Sequence, residues 1–156
     1  MCKCADVRIL CTFMSIINTN HIVFIITFTF IFMKLRVARH TTNLQPLIDF
    51  YTKVIGLEII GEFKNHNNYD GVFIGGKDAA WHLEFTVSNE KPDHHPDQED
   101  LLVFYARSEE EYNTLKENIA AHNIEQLVPK SPYWKENGIT IVDPDGFRVV
   151  IAWSGV

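Results

Sequence analysis

His82 and Glu84 stand two residues apart in the run Trp81-His82-Leu83-Glu84-Phe85, whose apolar–polar alternation marks a β-strand. A period of two puts the imidazole and the carboxylate on one face of that strand. Such a pair can ligate a divalent metal or move a proton to or from a bound substrate. Adjacent aromatics at Tyr133-Trp134, following Pro132, read as a loop element. They serve either as a lid over a flat or apolar ligand or as an anchor against the core. His94-His95, set among Asp and Pro, reads as a solvated linker, and the run from His66 to Asp70 as a turn. The chain has no Cys-x-x-Cys pair, no phosphate-cradling glycine loop and no Gly-x-Ser-x-Gly. All three cysteines (Cys2, Cys4 and Cys11) precede Met33, so cysteine nucleophiles are excluded from everything after it.

Two segments that follow one plan must position these groups. The first opens with a strand at 35–40 and a helix over about 44–55. Asn43 is its N-cap, Pro46 falls in the first turn and Gly56 is its left-handed stop. Strands are predicted at 57–64, 71–74 and 81–87, with turns at Asn67-Asn68 and Gly75-Gly76. The second opens with a strand at 101–106. Ser108 and Glu111 form a capping box for a helix to about Ala121, with Tyr112, Leu115 and Ile119 on its buried side. Strands near 125–128, 138–142 and 147–153 complete it, the last two joined by the tight turn Asp143-Pro144-Asp145-Gly146. Both halves read βαβββ, an α+β duplication joined by a polar linker over 88–100.

In the phrases LIDFYTKVIGLEII, HLEF and the terminal DPDG hairpin, in this order and spacing, the chain resembles the vicinal oxygen chelate superfamily. That superfamily includes glyoxalase I, bleomycin-resistance proteins, fosfomycin-modifying enzymes and extradiol dioxygenases. WHLEF, LLVFY and SPYW together also look like a small bacterial branch with no settled activity. The resemblance spans about residues 34–153. It implies paired βαβββ modules whose curved antiparallel sheets enclose a pocket, often in a homodimer.

In metal-dependent members, the first and last strands of each module send one ligand inward. Aligning on Phe50-Tyr51, Phe104 and the DPDG turn places those positions at Arg36, Glu84, Leu101 and Val150. Only Glu84 carries a donor atom that a metal would take. The metal site is therefore read as lost, and no cofactor is expected. Strand alternation then brings His40 inward with Arg36, His82 with Glu84, Tyr105 with Leu101, and Arg148 with Val150. The expected ligand-binding set is Arg36, His40, Tyr105, Tyr133, Trp134 and Arg148, with His82 and Glu84 as catalytic candidates. Three uses of the acid stay open. Glu84 can pair with an Arg36 guanidinium standing in the vacated metal position; His40, His82 and Glu84 can form an off-pattern metal site; or Glu84 or His82 can act as a general base.

Residues 1–32 stand apart from the domain at 33–156. From Phe13 to Met33 there is no charged side chain, and the stretch is long enough to span a bilayer. Three readings compete: a membrane anchor, a signal peptide without a small-residue cleavage site, and a translation start at Met33, which the approach to the first strand favours. From Lys34 onward there are 12 basic and 19 acidic residues, which argues against nucleic acid as a partner; a membrane partner enters only through the first segment. The resulting expectation is a cytoplasmic, homodimeric, glyoxalase-like protein. Its metal-free pocket, on this reading, takes a small organic molecule, for sequestration or for acid–base chemistry. The alternative is a metal-dependent lyase, dioxygenase or transferase.

Overall fold

The computed structural model describes residues 33–153; the readings made above for residues 1–32 lie outside the described residues. Two four-stranded mixed sheets, in the orders β1-β4-β3-β2 and β5-β8-β7-β6, repeat one topology. In each, the first strand runs parallel to the last, and the other pairs are antiparallel. The first sheet comprises β1 (Leu35–His40), β2 (Glu58–His66), β3 (Tyr69–Gly75) and β4 (Trp81–Val87). The second comprises β5 (Leu101–Tyr105), β6 (Gln126–Leu127), β7 (Gly138–Val142) and β8 (Arg148–Ala152). Neither sheet closes on itself, and the architecture is the α+β fold of glyoxalase-like proteins.

Helix α1 (Leu44–Asp49) starts at Asn43, whose side chain accepts from the Gln45 amide. It then widens into a π-helical turn, Phe50–Val54, where an α-helix alone was predicted. The physical reason is crowding of apolar residues. Phe50, Tyr51, Val54 and Ile55 are all buried, and the wider turn puts more of them on one side than α spacing allows. Gly56 ends the segment at φ +77. Helix α2 (Glu109–Ala121) is capped as predicted, with Ser108 accepting from the Glu111 amide. A short helix α3 (Pro132–Asn137) replaces the loop expected around Tyr133-Trp134. Asn67 and Asn68, both at positive φ, make the β2–β3 hairpin turn.

One face of each sheet packs on the helices, and the two packed faces share a core. Val72, Ile74, Leu83 and Phe85 from the first sheet meet Ile141, Val149 and Ile151 from the second, with Leu47, Tyr51, Leu115 and Ile119 between them. A buried polar cluster ties the modules where that core ends. Arg39 Nη2 lies 2.8 Å from Asp143 Oδ2, which also accepts from the Tyr51 hydroxyl at 2.8 Å. Arg39 donates to the same Tyr51 oxygen at 2.7 Å. The other carboxylate oxygen, Oδ1, accepts from the Asp145 and Phe147 amides, so Asp143 holds its own turn as well as the other module. The guanidinium lies between the rings of Phe147 and Phe85, 4.2 and 5.1 Å from their centroids.

Burial, with the Asp143 charge beside it, holds the Tyr51 hydroxyl well above the usual phenol range. The folded state therefore keeps a proton that the unfolded chain gives up near pH 10, so this stabilisation is whole below about pH 10 and is lost as pH rises through the folded value. Urea unfolding across alkaline pH is expected to show this slope, and Tyr51→Phe to remove it. An unchanged slope in the variant would assign the alkaline loss to other groups.

Candidate functional site

The face of the first sheet turned away from the helices carries Arg36, His82 and Glu84. Register places Arg36 opposite His82, and Glu84 between Ala38 and Phe73, so these side chains share that face. Arg36 Nε donates to His82 Nε2 at 3.1 Å, and Nη1 lies 3.1 Å from Glu84 Oε2. Its guanidinium sits 5.2 Å above the Phe73 ring, which also meets His82 edge-on at 5.4 Å. His82 and Glu84 are buried, whereas the Arg36 side chain keeps 47% of its exposure. Because arginine only donates, His82 Nε2 must accept, and its lone pair there is engaged by Arg36 rather than open to a substrate proton.

Four residues further along these strands lies His40, opposite Thr86. That is about 13 Å from the Arg36–His82 level at strand rise. Its Nε2 faces the Glu90 carbonyl at 3.0 Å, which requires Nε2–H, and its Nδ1 then accepts from the Thr86 hydroxyl at 3.0 Å. His94 donates to the His40 carbonyl at 2.6 Å. His40 and His94 thus pin the linker to β1, and the structure does not bring His40 together with His82 and Glu84. Among the described residues no three His, Cys, Asp or Glu side chains are grouped to hold a metal ion.

In the second sheet, Leu101, Val103 and Tyr105 share a face with Arg148, Val150 and Ala152. The two halves match: the position across from Glu84 is two residues past Arg36, and that across from Val150 is two residues past Leu101. The register makes Arg36 equivalent to Leu101 and Glu84 to Val150 in the two halves. The donor set there does not fit a metal, since Leu101 and Val150 have no donor atoms and Arg36 brings a positive charge bound to Glu84.

Trp134 packs on this second face. A Cβ on Gly138 would meet its ring at an ordinary contact distance of 3.5 Å but would stand 2.8 Å from Val150 Cγ1 and 3.0 Å from the Ile151 carbonyl oxygen, so glycine is what lets β7 lie against β8 beneath that ring. That ring is also 4.8 Å from Tyr133 and 6.4 Å from Tyr105. Arg148 turns to the Val128 carbonyl at 3.3 Å. The predicted set therefore divides: Arg36, His82 and Glu84 form one cluster, Tyr105, Tyr133 and Trp134 another, and His40 and Arg148 serve backbone contacts. Two cavities, of about 430 and 600 Å³, lie at the module junction around Trp81, Phe104 and Tyr105. Sequence reasoning missed Phe73 and its neighbour Phe63, although glycines opposite both across the β2–β3 ladder were a usable signal.

Two substitutions test these placements. Arg36→Ala leaves the Glu84 carboxylate, 11% exposed, without its cation, and is expected to cost about 1–3 kcal/mol in urea unfolding. No loss would mean that water already serves Glu84. Trp134→Ala removes a half-buried ring from its own sheet and is expected to cost about 1–3 kcal/mol; unchanged stability would restore the lid reading.

The fold and its two matched domains define a protein of the vicinal oxygen chelate superfamily. Within it the chain belongs to the YycE-like family, whose N-terminal domain matches residues 35–86 and whose C-terminal domain matches 99–152. The uncharacterized YycE protein of Bacillus subtilis (strain 168) is 40% identical over 120 residues, 75% of this chain and 85% of that one. A crystal structure of a Bacillus subtilis YycE protein, of unknown function and grouped with glyoxalase and fosfomycin-resistance proteins, aligns at TM-score 0.72 and 36% identity. It covers 80% of this chain and 92% of that chain. Two more distant structures share the fold alone. The trypanothione-dependent glyoxalase I of Leishmania major aligns at TM-score 0.60 and 18% identity, covering 76% and 84% of the two chains. The antibiotic-binding protein TnmS3 of Streptomyces sp. CB03234 aligns at 0.59 and 13%, covering 80% and 98%. No helix among the described residues is long and apolar enough to cross a membrane.

Proposed function

We propose that this chain is a metal-independent, glyoxalase-like binding protein for a small organic molecule, with the Arg36 face of the first sheet as its ligand surface. The observation that carries this reading is the Arg36 guanidinium at a metal-ligand position, bonded to the one carboxylate of that set. A fixed organic cation takes the place of a metal there and offers hydrogen bonds instead of coordination. The engaged Nε2 of His82 favours binding over proton abstraction by that residue. Antibiotic binding by TnmS3, on the same fold, shows that such a scaffold can serve a binder.

A homodimer belongs to the same reading. Among the described residues, strands β1 and β5 stand at the ends of their sheets with unpaired edges, and Leu35 and Tyr105 on them are 61% and 58% exposed. The cysteine-free, acidic domain fits a cytoplasmic setting.

The test is metal content of protein purified without chelator, followed by thermal shifts with divalent ions and with a library of small organic compounds. Saturable stabilisation by organic compounds, with neither bound metal nor a metal-induced shift, is the expected result. Near-stoichiometric metal, or stabilisation by metal alone, would overturn it. Light scattering of the same sample reads the dimer, and a monomer at working concentration would remove that part of the reading.

A further inference from the structure

The geometry points to aromatic carboxylates as the ligand class of the Arg36 face, an inference that rests on the reading of that face as a binding surface. Arg36 is held by His82 at Nε, by Glu84 at Nη1 and by the Phe73 ring beneath it. Among the described residues no hydrogen bond falls on Nη2. The side chain is half exposed, which leaves part of it open to solvent. A guanidinium already fixed at three points loses little further freedom on binding, and its planar fork suits a carboxylate better than a single acceptor atom. Glu84 occupies one side of the cation. A ligand carboxylate on the Nη2 side shares the charge from the opposite side, and half exposure moderates the repulsion between the two anions.

The aromatic half of the inference comes from β2 and β3. Phe73 lies opposite Gly61, and Phe63 opposite Gly71, on the same face as Arg36. A Cβ on Gly71 would stand 2.4 Å from the Phe63 ring, so that ring lies down over the strand where only glycine leaves room. Glycine in a strand interior weakens it, and aromatic rings covering glycines offset that cost. Structural cover explains why the rings lie flat, but not why a restrained cation adjoins them. Arg36 covers Phe73, and Phe63, half-buried with its centroid 5.7 Å from that of Phe73 and its plane tilted 42°, extends that aromatic surface along the same face. On this inference the ligand stacks a planar ring on that aromatic surface and presents its carboxylate to the Arg36 guanidinium. The same arrangement disfavours aliphatic acids, which gain no ring stacking, and neutral amides, which leave the charge unmatched.

The experiment titrates the full chain with benzoate, phenylacetate and 3-phenylpropionate, with their primary amides, and with cyclohexylacetate. It follows thermal shift together with the NMR signals of the arginine Nε–H groups and the backbone. The expected result is saturable binding of at least one aromatic acid, at least about tenfold tighter than its amide, with the Arg36 Nε–H signal moved. Arg36→Gln should reduce the acid to the level of the amide. Phe63→Leu, which leaves the charged cluster untouched, should weaken phenylacetate and spare cyclohexylacetate. Acids and amides binding alike, or library compounds binding while none of these acids does, would overturn the carboxylate class and leave the binding surface standing. Binding that ignores both substitutions and moves only the signals of Tyr105 and Trp134 would overturn the class and the surface together.

Discussion

Asp143→Ala is expected to lower the free energy of unfolding by about 3–5 kcal/mol, a large share of what holds a domain of this size. The cost follows from what Asp143 serves. Its carboxylate, with no exposed side-chain surface, accepts from Tyr51, from two amides of its own turn and from Arg39, itself only 9% exposed. Truncation leaves a buried guanidinium without its counter-charge, between two aromatic rings that cannot replace it. Equilibrium urea unfolding reads the change as a lower midpoint with an unchanged slope. The companion variant Arg39→Met/Asp143→Leu removes both charges and should recover much of the loss. A cost below about 1 kcal/mol for Asp143→Ala would mean that Arg39 finds another partner; the neighbouring Asp145, whose Oδ2 is buried without a hydrogen bond, would be the first to examine.

Phe85→Ala is expected to cost a similar amount, about 3–5 kcal/mol, by a different route. Its ring is fully buried, stacks on Tyr51 with centroids 5.1 Å apart, and lies under the Arg39 guanidinium. Removing it opens a cavity beside the polar cluster, where the surroundings are held by hydrogen bonds and collapse poorly. Phe85→Leu should cost clearly less. Because Phe85 and Asp143 act on the same guanidinium, their combined effect should depart from the sum of the two by about 0.5–3 kcal/mol. Strict additivity in a double-mutant cycle would separate the apolar contact from the ion pair.

Much of this arrangement was legible in the sequence, for identifiable reasons. Strands β1, β4 and β7 fall at their predicted bounds because alternation marks their length and nearby glycine, asparagine or proline residues mark at least one end of each. The Arg36–Glu84 contact was legible too, since period-two alternation and parallel pairing put both on one face. The π-helical turn was not. Helical spacing through Leu44, Leu47 and Ile48 is the same in both geometries until Phe50, Tyr51, Val54 and Ile55 compete for one side. Helix α3 was hidden by its length, although Ser131-Pro132 is a serviceable helix start. The Arg39–Tyr51–Asp143 cluster was out of reach because it depends on how two modules dock, which no single module's periodicity records. His40 was placed on the correct face, but its partners belong to the linker, whose path carries no pattern.

The contact from Tyr51 to Asp143 joins residues 92 positions apart, and that from Thr41 to Asp145 joins residues 104 apart. Interactions of this sequence separation raise the contact order of the chain, and their loop-closure entropy must be met before they return any stabilisation. Neither repeat holds a complete set of partners for its own buried charges: Arg39 belongs to one and Asp143 to the other. The duplication is thus not two foldons in a row. The hairpin at Asp143 completes the electrostatics of strand β1, so the two halves are expected to unfold together.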